Sequence, residues 1–396
     1  MTNHRSIIAC ATLLACATAV PAADLDTVQI HGFISQGYVR TSDNGYYTPD
    51  TADGGSLEFR EIALTVLAQP EERLRIGIQL MSQDMGDIYN NEVAIDWASA
   101  VWTQPFGGWE GDFKVGRIKM GHALYNDYRD LDFSRTTVFL PECVYFNSWR
   151  RLYVALDGVG VALRSPDMAA GRVELNAVYG TQQIATDDPV MAGYEGYNLT
   201  STDFERQWAV QLAWHPVDDL QLKLSLLAID EWDTYAQSTG ADDLISDTSP
   251  FYYEWVASLE WTRGPFQLAS EGIFWDSEGT STYDDGASGT YTSAWSQTGI
   301  GGYLSLSYEV AQDWRVAVIG QAHNMVYTDQ VWGDSSDQTR SCGIATSYAI
   351  SDHWLVKGEF DYVNGVYFLR GVDQPVPGVF DTDEWTLLAL RTTFDF

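Results

Sequence analysis

Between Val115 and Arg151 the chain reads VGRIKMGHALYNDYRDLDFSRTTVFLPECVYFNSWRR, and this stretch sets Asp127, Arg129, Asp130, Asp132, Arg135 and Glu142 among Tyr, Phe, Leu and Val. Acids and bases interleaved at this spacing can present fixed charge or pair into salt bridges. They do not supply an activated nucleophile. Covalent catalysis needs a nucleophile with a positioned base, and His122, His215, His323 and His353 show no recognisable pairing with a serine. No Cys/His spacing resembles a zinc site, and no glycine loop suited to phosphate is present. The expectation is a protein that is not an enzyme and carries no cofactor. Divalent cations at the acidic pairs Asp242-Asp243 and Asp284-Asp285 are the one candidate ligand, against the plainer reading of solvated carboxylates.

A connection of some thirty residues without secondary structure of its own is usually either functional or disordered. This one is too rich in large apolar and aromatic residues for disorder. Tyr125, Tyr128, Phe133, Phe139, Tyr145, Phe146 and Trp149 need a surface to pack on, or a ligand to stack against. The expectation is that the loop, at about 120–151, folds into the lumen of a membrane β-barrel and narrows it.

The flanking chain reads as strands. Apolar and polar residues alternate with period two: Leu74, Ile76, Ile78 and Leu80 against Arg73, Arg75, Gly77 and Gln79, then Leu220, Leu222, Leu224 and Leu226 further on. The pattern gives about sixteen strands, beginning near 28, 57, 72, 91, 110, 152 and 172 in the first half. Later strands are expected around 208–214, 220–226, 251–262, 265–276, 293–310, 313–327, 338–350, 352–364 and 384–396. Short turns such as Pro105-Phe106-Gly107-Gly108 alternate with longer, acid-rich connections, the asymmetry of outer-membrane barrels. Trp109, Trp214, Trp261, Trp314 and Trp354 all lie near short turns. Indoles favour the membrane–water boundary, so these read as one aromatic girdle. The opposite face carries Arg73, Arg75, Gln79, Arg315, Gln321, His323, Lys357, Glu359 and Asp361, which suits a wet interior. In hydrocarbon every backbone polar group needs an internal partner, so the strands must close on themselves. The fold class is all-β, a transmembrane antiparallel barrel.

At the N-terminus, Met1–Ala23 has the three-part layout of a secretory signal peptide: a short polar start with Arg5, an uncharged run from Ile7 to Val20, then Pro21-Ala22-Ala23. Cleavage is expected after Ala22 or Ala23, leaving 23–396 as the barrel. Leu13-Leu14-Ala15-Cys16 also loosely resembles a lipobox. The net charge of −33 argues against nucleic-acid partners, which need basic surface. Cys143 and Cys342 survive processing, and secretion permits a disulfide without requiring one.

In this layout, from the signal to a last strand with Leu388, Leu390, Phe394 and terminal Phe396 on one face, the chain resembles the general bacterial porins. The resemblance is most specific at Gly116-Arg117, which ends the strand before the long loop, and at Leu140-Pro141-Glu142 within it; Cys143-Val144 stands where such porins often have a glycine pair. It implies a homotrimer in the outer membrane of a Gram-negative bacterium, in contact with lipid and lipopolysaccharide, passing small hydrophilic solutes and ions. It also implies a constriction in which Asp127, Asp130, Asp132 and Glu142 face Arg75 and Arg117 on the wall. Arg129 and Arg135 would join the basic side or pin the loop. Opposed fixed charges of this kind orient dipolar solutes and bias ion passage. Strict alternation places Arg117 with Phe113 and Val115 on the lipid face, so a local bulge turning it inward is expected. The acidic mouth implies cation preference. A channel selective for sugars or other organic solutes, and a closed structural or adhesive barrel, are the alternatives.

Overall fold

The computed structural model describes residues 27–86, 88–194, 196–287, 289–366 and 382–396. The signal-peptide reading of Met1–Ala23 therefore lies outside the described residues. Sixteen strands follow one another: β1 (Val28–Thr41), β2 (Arg60–Glu71), β3 (Leu74–Asp84), β4 (Asn90–Phe106), β5 (Trp109–Lys119), β6 (Ala155–Arg164), β7 (Arg172–Gln182) and β8 (Leu199–Val217) in the first half. The second half holds β9 (Leu220–Ala236), β10 (Leu244–Arg263), β11 (Phe266–Asp284), β12 (Thr290–Ala311), β13 (Trp314–Asp329), β14 (Ser335–Ser351), β15 (Trp354–Asn364) and β16 (Glu384–Asp395). Each pairs with its sequence neighbours, and β1 pairs antiparallel with β16, so the barrel is closed.

Closure satisfies the outermost ladders that an open sheet would leave as edges. The terminal residue takes part: Phe396 N donates to Gly32 O and Gly32 N to Phe396 O, both at 3.0 Å. Gly32 is needed there, because a Cβ would fall 2.6 Å from the Phe396 ring and 2.7 Å from Ala63 O. The alternation sorts the faces as the hydrophobic pattern requires. Ile34, Val115, Val159, Leu224, Val318 and Leu390 are exposed on the outside, while Gln79, Gln211, Glu271, Lys357, Glu359 and Arg391 are buried on the other face. Trp109, Trp214, Trp314 and Trp354 are exposed beside the short turns, giving the girdle its expected position.

Two boundaries differ from the sequence reading. Strands β8 to β11 run well past their expected ends into segments dense in Asp, Ser and Thr. There both faces are polar, so the period-two contrast disappears although the ladder continues: Asp247 still pairs with Ser281 and Thr234. The second is at β6, which starts at Ala155 because Arg150–Val154 forms a single helical turn, α1. Cys143 and Cys342 are both free, the first buried and the second exposed on β14.

Candidate functional site

The long connection between β5 and β6 is held by side chains from strands all around the barrel. On one side, Ala123 N donates to Ser225 Oγ of β9 (3.0 Å), and Gln211 Nε2 of β8 donates to Ala123 O (2.9 Å). Glu271 of β11 accepts from Leu124 N at 2.7 Å and from the Tyr145 hydroxyl at 2.5 Å. Further round, Cys143 N donates to Gln321 of β13 (3.2 Å), and Val138 N and Phe139 N both donate to Glu359 Oε2 of β15 (2.5 and 3.1 Å). Glu254 of β10 accepts from Tyr153 (2.9 Å) and Tyr252 (2.6 Å) and lies 2.9 Å from His122 Nε2. Between these anchors Met120, Leu124, Val144, Tyr145 and Leu152 are fully buried in a common apolar cluster. The chain is over-determined at each point, since every buried polar atom that gains a partner avoids a desolvation cost of about 1–3 kcal/mol.

The charged residues of the segment have specific partners, and these are not the expected ones. Asp132 meets Arg391 Nε at 2.6 Å, Lys357 Nζ at 3.5 Å and Arg135 at 3.2 Å, and accepts from Thr393. Burial opposes its ionisation, but Arg391, Lys357 and Arg135 outweigh burial and hold its carboxyl well below the usual range. Asp130 meets Arg150 at 2.9 Å and Lys119 at 3.6 Å, and it too is held far below the usual range against its burial. Arg150 also binds Asp96 of β4 at 2.6 Å, which makes it the hub of a buried triad. Among the described residues no cation lies beside Glu142. It accepts from Tyr46 (3.0 Å), Tyr47 (2.5 Å) and Asn147 (2.5 Å), and burial raises its pKa despite those bonds. Arg135 pins the segment internally, donating to Arg129 O at 2.8 Å. Arg129 is buried with its guanidinium 6.0 Å from the centre of the Tyr145 ring. Asp127 alone among the four expected acids is exposed.

Arg75 and Arg117 pair with other carboxylates than these acids. Arg75 sits low on β3 and meets Asp112 of β5 at 3.5 Å. Arg117 keeps its place in both ladders, opposite Ala98 and Asp157, with no register shift on either side. It remains on the outer face and pairs with Asp157 at 3.4 Å. A bulge does occur, but in the neighbouring strand: Gln79 pairs with Trp97 and Leu80 with Ile95, leaving Asp96 as the extra residue. That bulge aims Asp96 at Arg150 and frees its carbonyl for Arg117 Nε, 3.1 Å away. The outward charge is compensated by Asp157 and the Asp96 carbonyl, and Asp157 is level with Thr181, two residues beyond Tyr179, which packs on Trp208. At the membrane boundary a charge costs about 0–1 kcal/mol, against about 2–4 at midplane.

Sequence reasoning placed Lys357, Glu359 and Gln321 on the inner face without giving them a role, and missed Arg391, Glu271, Glu254 and Asp96. Arg391 was legible, since it alternates with Leu390 and Thr392 on a clear strand. The acidic pairs proposed for divalent cations are engaged locally: Asp242 with Tyr291, Asp243 with Thr239, Asp284 with Ser238 and Gly286, and Asp285 with Ala287. Among the described residues no group of three or more His, Cys, Asp or Glu is arranged to hold a metal.

No protein-family model matches the chain, and no curated protein matches it by sequence. Solved structures do match in fold. OmpT of Vibrio cholerae, folded in vitro and in its trimer form, superposes with a TM-score of 0.54 at 10% identity, over 93% of this chain and 99% of that one. The anion-selective porin of Comamonas acidovorans gives 0.53 at 12% identity, over 93% and 99%. OmpF of Salmonella typhi, in complex with daunomycin, gives 0.53 at 9% identity, over 93% and 97%. The chain therefore has the fold of a sixteen-stranded outer-membrane porin, a multi-pass barrel.

Proposed function

We propose that this protein is an outer-membrane channel for small hydrophilic solutes and ions, with residues 120–151 crossing and narrowing the lumen. The observation that carries the reading is the ring of anchors. One segment is bonded to β4, β8, β9, β11, β13, β15 and β16, always through side chains on the face opposite the exposed apolar one. A strap fixed to all sides of a closed wall must lie across the space the wall encloses. In this arrangement Asp130, Asp132, Glu142 and Arg135 clamp the strap, and Asp127 is the acid left to act on passing ions. Asp242 and Asp285, exposed at the acid-rich connections, raise the local cation concentration at the mouth. The channel is accordingly proposed to be cation-preferring and trimeric, seated among lipid and lipopolysaccharide.

Single-channel recording in planar bilayers under a KCl gradient tests this. The expected result is stepwise ohmic conductance in groups of three, with a reversal potential of the sign for cations. Reversal of the opposite sign would sink the selectivity. A second reading, a closed structural barrel, is favoured by the fully buried apolar cluster around Met120, Leu124 and Tyr145. Correctly folded, heat-modifiable protein that conducts nothing would decide for it. A catalytic reading has less support, because His122, the histidine of the long connection, is engaged with Glu254 and stacked on Tyr153.

A further inference from the structure

Below the strap, at the short-turn end, the wall lines an open cavity of about 850 Å³ beside the β2–β3 turn. Its side is organised by register. Arg75, Val101 and Lys114 form one row across β3, β4 and β5. The next row up places Ser99 between Gly77 and Gly116, and the row above that holds Gln79 and Trp97. Neighbouring strands lie about 4.8 Å apart, so the backbones of Arg75 and Lys114 stand about two strands apart on either side of Val101, with the Lys114 ammonium resting against Asn176 of β7. The Trp97 indole is fixed by its bond to Gln79 Oε1 (2.9 Å), and its ring covers Gly77, where a Cβ would fall 2.7 Å from a ring carbon. A shallow recess floored by Ser99 and Val101 is left between an aromatic ring above and two cations below.

Neither cation has a close ion pair, although Arg75 also donates to Thr103 at 3.4 Å and Asp127 and Asp112 act on Lys114 from further off. Lys114 donates to the neutral amide of Asn176 at 3.2 Å, and among the described residues no carboxylate lies within ion-pair distance of it. Arg75 reaches Asp112 only at 3.5 Å and is more than half exposed. Asp112 is already committed to Arg164 at 3.0 Å and Thr103 at 2.6 Å, and Arg164 is shared with Glu110. Glu71 and Glu72 are the other acids of the cavity, and they stand exposed in the turn at its rim.

We propose that this recess binds small organic carboxylates with an apolar body, the carboxylate held by Lys114 and Arg75 and the body laid against Trp97. The cation-attracting outer loops do not oppose this, since fixed charges beyond about 8–10 Å are screened at physiological salt; Asp127, the acid that acts most on Lys114, is the group a bound carboxylate must compete with. The site assigns a solute class to the proposed channel and rests on that reading for its purpose, although binding itself requires no conductance. Calorimetric titration of the folded, detergent-solubilised full chain with phenylacetate, and with neutral phenylacetamide as control, tests it. Phenylacetate is expected to bind and phenylacetamide not. Lys114→Gln should weaken phenylacetate by about tenfold, as loss of one charge-assisted bond would, and Trp97→Leu should weaken it while sparing the fold. If Lys114→Gln fails to fold, Arg75→Gln, on an exposed side chain, takes its place. Equal binding of acid and amide, no binding of either, or full affinity in both charge variants would overturn the proposal. Binding in a protein that does not conduct would uphold the site and reject the channel; conductance without binding would do the reverse.

Discussion

Asp132 is the residue on which most of the strap's charge balance converges. Replacing it with Asn leaves Lys357 and Arg135 buried around a neutral group and Arg391 with Glu61 alone, and breaking a buried pair in this way costs about 3–5 kcal/mol. Asp132→Asn should therefore lower the urea midpoint and make the 120–151 segment susceptible to added protease. The pH dependence follows from the same contacts. A carboxyl held below its unfolded value contributes stability that is present above that value, near 3.9, and lost only as pH falls through the folded one. Wild-type protein should thus resist proteolysis at pH 4.5 as well as at pH 7. Glu142 behaves oppositely, because burial raises its pKa. Its contribution is full below the ordinary carboxylate value and declines as pH rises through the raised one. Unfolding midpoints of wild type and Glu142→Gln, compared from pH 4 to pH 8, should shift steadily in favour of the variant; a pH-independent difference would contradict the buried, cation-free site.

At the scale of elements, the β5–β6 connection and the barrel wall are separable. None of the sixteen ladders uses a residue of 125–147. Replacing that segment with a short Gly/Ser linker should leave a heat-modifiable barrel and raise single-channel conductance several-fold. Unchanged conductance would mean that the strap does not narrow the path. The two cysteines probe the same division. Cys143, buried in the strap, and Cys342, exposed on β14, have no bond between them. Reductant should leave the electrophoretic mobility unchanged, and a small apolar maleimide should modify Cys342 well before Cys143.

For the whole molecule, closure between β1 and β16 is the step on which the rest depends. It brings the chain's last residue onto Gly32, with no room for a side chain between them. Gly32→Val should abolish the compact form that runs fast in unheated gels, whereas valine at Gly320, where a Cβ would meet only Ser341 O at 3.9 Å, should not. Equal behaviour of the two variants would show that the close approach is not limiting.

The sequence by itself determined the class of fold, the number of strands and their faces, because burial on a pleated sheet imposes a period of two that Leu220–Leu226 or Lys357–Asp361 display directly. It also marked 120–151 as the segment that must pack, since so many aromatics cannot remain in water. Partner choice was decided only by the tertiary structure. Which cation meets Asp132 depends on how the strand registers around the closed ring bring Arg391 and Lys357 to the strap. Arg117 shows the same limit. Its face was legible from alternation, but the bulge at Asp96 and the Asp157 carboxylate that compensate an outward charge arise from neighbours in the ladder. Local pattern fixes which way a side chain points; closure of the ring fixes what it finds there.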